Sequence, residues 1–271
     1  KILFRIEITG EGKTEALARE YAESVSIDFS QSGDRVSAET VLPNIRCSGD
    51  CGRTTHYVVV APKNVAADLE NKYGNIQLDR LLQPLKVDLK YGNLQAGSLG
   101  GATIDIKYGN VTVQSCESLE LDSKYSGITL GTVGTLKADS KYDKFRIESV
   151  VDVRLNTAYT DVKADRLLKS FVAGDFKYCS LTVSEVAVDF SRIKIDAAYT
   201  NVQIAFNDRH SFNAVLFTRY GKIRVDKLAP LVFSGSSEAK NNQVSYIGRF
   251  GQDSQPSASV DISISYGNIT F

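Results

Sequence analysis

Polar and apolar residues alternate along most of this chain, and the alternation breaks at regular places. Leu85, Val87 and Leu89 are separated by Lys86, Asp88 and Lys90; the same order returns in Ala102, Ile104, Ile106, in Val153, Leu155, Thr157 and in Ile193, Ile195, Ala197. Period-two alternation marks a strand with one buried and one wet face. Each of these segments runs into a tyrosine two residues after its last inward position. Tyr73, Tyr91, Tyr108, Tyr125, Tyr142 and Tyr159 follow one another at intervals of 18, 17, 17, 17 and 17 residues, Tyr178, Tyr199 and Tyr220 at 19, 21 and 21, and Tyr266 opens a last copy with Tyr-Gly-Asn. A fixed period of this length indicates a repeat architecture.

After each tyrosine comes a two-residue turn rich in Gly, Asn and Asp, which tolerate a left-handed backbone. Apolar residues return at plus three, plus five and plus eight, as in Val111, Val113, Cys116 and Ile128, Leu130, Val133. Counting the tyrosine as inward, the spacings around one 17-residue copy are 2, 2, 2, 3, 2, 3 and 3. Each three is a corner that keeps the next core side chain inside. A coil of this length has a perimeter of roughly 56 Å, enough for a narrow tube filled by side chains, with successive coils about 4.8 Å apart. The pattern predicts an all-β fold, a right-handed parallel β-helix (β-solenoid) with coils of 17–21 residues. A row of hairpins is the competing arrangement, because Gly-Asn also closes hairpin turns; the fixed phase of equivalent residues favours stacked coils. Parity then expects the tyrosines to form an inward aromatic ladder, with an exposed strip for sugar stacking as the alternative.

Four segments follow. Residues 1–56 read as an opening strand, a helix capped by Thr14 with Leu17, Tyr21 and Val25 on its apolar stripe, and a hairpin over 25–30 and 35–41, together an N-terminal cap for the solenoid. Residues 57–229 read as the coils, 230–259 as an irregular covering segment and 260–271 as the final coil. In the coil ending at Tyr220 the outward positions hold Val215 and Phe217, an apolar patch expected to be covered by 231–259 or to bind a partner. The loop 43–55 carries Cys47 and Cys51, four apart, which suit a small disulfide in an exported protein, free thiols, or less readily a metal site with the unpartnered His56. Cys116 reads as a small core residue and Cys179 as a turn residue several coils away.

Lysine plus arginine equals aspartate plus glutamate at 32 each, and the sequence pI is near 6.9. That balance argues against electrostatic capture of nucleic acid. No apolar run approaches the roughly 18 residues of a transmembrane span, and no signal-peptide pattern is present. The chain contains no methionine, which reads as a trimmed sequence. Along the outer face, a basic stripe (Lys72, Lys90, Lys107, Lys124, Lys141) runs beside an acidic one (Glu70, Asp88, Asp105, Asp122, Asp139). Interleaved lysines would neutralise a calcium or glycosidase-type carboxylate array. No residue is singled out as catalytic, as a metal ligand or as cofactor-binding, and no cofactor is expected; His56 and His210 lack evident partners for acid–base work.

The Lys-Tyr-Gly-Asn coils, the 15–26 helix leading into Ile27-Asp28-Phe29-Ser30-Gln31-Ser32-Gly33-Asp34, and the closing Ser265-Tyr266-Gly267-Asn268-Ile269 resemble the bacterial adhesin-type β-helical repeat families, including the head domains of auto-transporter adhesins. The resemblance spans nearly the whole chain. It implies an exported protein of the bacterial envelope, at the cell surface, outer membrane or periplasm, from a precursor with a signal peptide or lipid anchor. Three functions remain open: adhesion to a surface glycan or protein ligand, an envelope scaffold that self-associates, and a polysaccharide lyase or hydrolase. The expectation is a non-catalytic binding protein.

Overall fold

A computed structural model describes residues 1–43, 51–225 and 232–271. The chain divides into two compact units, Lys1–Pro62 and Lys63–Phe271. In the first, β1 (Leu3–Glu11) is followed by α1 (Glu15–Glu23), β2 (Ser26–Ser32), β3 (Arg35–Val41) and β4 (Gly52–Val60). The Thr14 hydroxyl caps α1 by accepting the Leu17 N–H at 3.2 Å, and Tyr21 and Val25 are buried. β2 and β3 form the expected hairpin. β4 pairs antiparallel with β1 from Leu3↔Val60 to Glu11↔Gly52. Residues 57–60 therefore belong to this unit and not to the coils, because their backbone groups find partners on the opening strand.

The second unit is a β-solenoid of about eight turns, and 70% of the described residues are strand and 3% helix. Its strands are β5 (Ala67–Lys72), β6 (Ile76–Leu81), β7 (Leu85–Lys90), β8 (Asn93–Lys107), β9 (Asn110–Lys124), β10 (Gly127–Lys141), β11 (Lys144–Ala158), β12 (Asp161–Lys177), β13 (Ser180–Val186), β14 (Arg192–Ala198), β15 (Asn201–Ile204), β16 (Phe212–Arg219), β17 (Ile223–Arg224), β18 (Phe233–Lys240), β19 (Gln243–Phe250), β20 (Ser259–Ser265) and β21 (Ile269–Thr270). From β8 to β11 each strand pairs in parallel with the next at a 17-residue offset, as in Asn93↔Asn110 and Gly127↔Lys144. The alternation read from sequence is the burial pattern seen: Leu94, Ala96, Leu99, Ala102, Ile104 and Ile106 are buried along β8. Register shifts at Val150/Asp152 and Leu155/Asn156 absorb the extra residues of the longer coil opposite β11.

The C-terminal region departs from chain order. β20 pairs in parallel with β14 on one edge and with β16 on the other, so residues 259–271 slot between the coil of Tyr199 and the coil of Tyr220. They are the last coil in sequence but not in space, because insertion satisfies both edges of β20. β18 and β19 form a hairpin turned by left-handed Asn241 and Asn242 (φ 51° and 61°). β19 pairs antiparallel with β16, placing Ile247 opposite Val215 and Ser245 opposite Phe217. The expected cover over the outer face is thus corrected: the segment closes the open strand edge, and Val215 stays 48% exposed beside Ile247 at 54%. Unpaired backbone along an edge is costlier than two wet apolar side chains. Phe206, Phe212, Phe250 and Phe271 pack against one another as an aromatic plug at this end.

Candidate functional site

The tyrosines carry the surprise. All ten adopt positive φ, between 53° and 64°. A left-handed residue reverses the side-chain alternation of its strand, so the ring swings outward where simple parity sends it inward. Tyr91 to Tyr266 in the ladder are close to half exposed, and Tyr73 is 70% exposed. The expectation of an inward ladder is therefore wrong in its direction, while the ladder itself is real. Rings stack in the spatial order Tyr73, Tyr91, Tyr108, Tyr125, Tyr142, Tyr159, Tyr178, Tyr199, Tyr266, Tyr220, with centroids 4.7–5.1 Å apart and planes within 12°. Its two ends are covered by cations, with Lys72 Nζ 5.0 Å from the Tyr73 centroid and the Arg219 guanidinium 5.3 Å from that of Tyr220.

Energetics leave the strip close to break-even. A non-glycine residue in the left-handed region costs about 1–2 kcal/mol, and a stacked aromatic pair returns about 0.5–1.5 kcal/mol. Glycine or asparagine would make the same turn without the strain. Strained residues repeated on an exposed face point to a function carried there. Replacing Tyr108 by asparagine is accordingly expected to shift stability by no more than about 1 kcal/mol, whereas Tyr108→Val costs about 2 kcal/mol or more, because a β-branched residue is poorly tolerated at positive φ; urea unfolding of the two variants checks this.

Two turn recipes set the tyrosines. In the first, glycine follows the ring and asparagine follows glycine. The Asn75 side-chain oxygen accepts the Asn93 backbone N–H at 2.9 Å and its side-chain N–H at 3.0 Å, and Asn93 does the same for Asn110 at 3.1 and 2.8 Å. Gly92 and Gly109 are required here: a Cβ on Gly109 would lie 1.8 Å from the Gly92 carbonyl oxygen. In the second, a buried polar residue follows the ring. Ser126, Thr160 and Thr200 each donate their hydroxyl to the carbonyl of the residue just before the tyrosine, at 2.9, 3.1 and 2.9 Å, and the Cys179 thiol does so at 3.0 Å. Each bond spans the left-handed tyrosine. Cys179 thus occupies a serine/threonine position; burial pushes its thiol and that of Cys116 up, away from reactivity.

Asp143 holds the same place in its coil and is buried. Its carboxylate accepts the Ser123 and Ser140 hydroxyls at 2.7 Å each and the Ser126 N–H at 2.6 Å. Burial raises its pKa above 3.8, against the lowering effect of those hydrogen bonds. In the window above 3.8 and below the raised value, the folded state binds more protons than the unfolded one, so this group's contribution to stability falls as pH rises. The stability of wild type relative to Asp143→Asn is therefore expected to decline from pH 4 towards neutrality and then level off, as measured by denaturant unfolding across pH.

Beside the first four rings lies an open groove of about 590 Å³, lined by Tyr73, Tyr91, Tyr108 and Tyr125, by the glycines Gly74, Gly92, Gly109 and Gly127, and by Asn75, Asn93 and Asn110. In the first three coils the chain crosses it in the order Tyr, Gly, Asn, so the floor there is bare backbone. Among the described residues no protein group hydrogen-bonds the ten phenolic hydroxyls. Part of the outer charge lattice is paired: Lys90 lies 3.3 Å from Asp88 and Lys107 3.2 Å from Asp105, and in a later coil Lys177 lies 2.7 Å from Asp175. The hydrogen bond that Lys107 donates to Asp105 holds the Lys107 pKa above its usual value, and Asp122 and Asp88 in the neighbouring coils add to it. Such exposed pairs contribute about 0–1 kcal/mol each.

The other residues read from sequence are not brought together. His210 is buried, accepting the Asn207 N–H on Nδ1 at 3.0 Å and placing Nε2 3.0 Å from the Val186 carbonyl, a structural role. His56 sits on β4, opposite Glu7. Cys51 is disulfide-bonded; Cys47 lies outside the described residues, and the proposed pairing of the two with it. Among the described residues no group of three or more His, Cys, Asp or Glu is arranged to hold a metal, and no helix is long and apolar enough to cross a membrane.

Fold and strip define a β-solenoid with a surface tyrosine ladder. No family model, no curated protein and no solved structure matches the chain.

Proposed function

We propose that this protein is a non-catalytic, adhesin-class β-solenoid exported to the bacterial envelope, and that the tyrosine strip is its binding face. The single observation behind this reading is the continuous, strained, outward ladder. Nine coil steps of about 4.8 Å make it on the order of 40 Å long. Half-exposed rings of that number present on the order of 1,000 Å², larger than the few hundred Å² of aromatic and apolar patch that a monomer carries without a partner, and comparable to one side of a specific interface. The groove beside it offers phenols, amides and backbone, hydrogen-bonding groups suited to holding a polar ligand.

The test replaces Tyr91, Tyr108, Tyr125 and Tyr142 together by asparagine, which keeps the left-handed turns. Wild type is expected to be retained on an array of immobilised glycans and matrix proteins, and the variant to be lost from it. Equal retention of both would overturn the role of the strip. Location is tested by protease shaving of intact native cells: loss of the chain while a periplasmic control survives is the expected result. Survival of a chain that the same protease cuts when purified would place it inside the envelope and favour a scaffold.

A further inference from the structure

We infer that the groove along Tyr73–Tyr125 takes a neutral, extended, equatorially linked hexopyranose chain lying along the solenoid axis, with one sugar ring per coil; this rests on the binding reading above.

The first argument is periodicity. Chemical groups in the groove repeat once per coil, about 4.8 Å apart. An extended peptide advances about 3.4 Å per residue and about 6.8 Å per same-face side chain, so it drifts out of phase with the coils within two steps. A linear, equatorially linked pyranose chain can set one ring against each coil; alternate rings are turned over, but both faces of an all-equatorial ring carry axial C–H groups, so every coil meets the same kind of surface.

The second argument is chemistry. The rings stack with centroids 5.0–5.1 Å apart and planes within 12°, yet stay about half exposed, so each offers aromatic surface to the polarised C–H groups of a sugar. Across the glycine floor, the Asn93 and Asn110 amides each use one side-chain N–H in the ladder and keep the second for a ligand hydroxyl. Phenolic hydroxyls supply further donors and acceptors. Gly74, Gly92 and Gly109 let the chain sit close to the backbone. No charged side chain lines the groove, which selects a neutral polymer over an acidic one. The asparagine wall ends at Gly127, where the turn recipe changes, and this limits the site to about four sugar units.

The experiment is calorimetric titration of the whole protein with β-1,4-linked glucose and N-acetylglucosamine oligomers of two to six units. Affinity is expected to rise with length and level off at four to five units. The α-1,4-linked glucose hexamer, whose chain curves, should bind at least tenfold more weakly. Tyr91→Asn with Tyr108→Asn is expected to lower affinity at least tenfold. Lys137→Gln with Glu120→Gln, an exposed ion pair away from the groove, should change it less than about twofold. Failure of both β-linked hexamers to bind the folded protein, binding without length dependence, or equal loss in the two double variants would overturn the inference. If it falls while the fourfold tyrosine variant still loses retention on the array, the binding strip stands with a different ligand; if retention is also unchanged, both readings fall.

Discussion

Phe171→Ala is expected to lower the unfolding free energy by about 3–5 kcal/mol, the range for deleting a fully buried aromatic side chain and leaving its cavity behind. Phe171 is 1% exposed on β12. Its register partners in the coils on either side are Val153 and Ile193, so it stands in a column otherwise built of aliphatic residues. Collapse around the cavity is limited, because each coil is fixed by backbone hydrogen bonds to the coils above and below. Phe171→Leu restores the residue type of the column and is expected to cost no more than about 1.5 kcal/mol. Urea unfolding followed by circular dichroism separates the two. Equal losses would mean that the column does not discriminate by volume.

Gly109→Val is expected to cost about 3 kcal/mol, the upper end for forced overpacking. The obstacle is the Gly92 carbonyl oxygen, 1.8 Å from the required Cβ position, and it belongs to the backbone of a coil that cannot shift alone. Relief requires the turn to leave the Gly-Asn form, which breaks the Asn110 N–H bond to the Asn93 side chain. Gly101→Ala is the matched control. A Cβ there meets nothing nearer than the Ser118 oxygen at 3.9 Å, and losing a glycine's freedom in the unfolded chain stabilises by about 0.4–1 kcal/mol. A destabilised Gly101→Ala variant would show that glycines serve this solenoid through something other than close backbone approach.

The glycine result bears on function as well as stability. Where glycine follows the tyrosine, the chain leaves a bare floor between ring and amide; where Ser126, Asp143 or Thr160 follows it, the side chain turns inward and joins a buried polar row with Ser123, Ser140 and Thr157. Both recipes hold the tyrosine left-handed. Only the first produces the groove. Tyr220-Gly221 and Tyr266-Gly267-Asn268 return to the glycine form, but three successive Tyr-Gly-Asn coils occur only from Tyr73 to Asn110, and the groove lies there.

Much of this was legible in the residues. The 17-residue period, the buried faces Leu85-Val87-Leu89 and Val111-Val113-Cys116, the Thr14-capped helix and the outward charge stripes all follow from local rules, because strand alternation and helix capping are properties of a few neighbouring residues. The direction of the tyrosines was not legible by counting, although a signal existed: the step from two to three at the tyrosine itself marks the residue where the backbone must reverse. Parity assumes an unbroken strand, and one left-handed residue flips it.

Alone, then, the sequence determined that the chain coils, how long each coil is and which side chains fill it. Only the tertiary structure decided that ten tyrosines face solvent, that residues 259–271 insert between two earlier coils, and that the β18–β19 hairpin closes an edge instead of covering Val215. Those outcomes depend on which distant strand satisfies which backbone edge, and pairing between strands far apart in the chain leaves no mark in a local pattern.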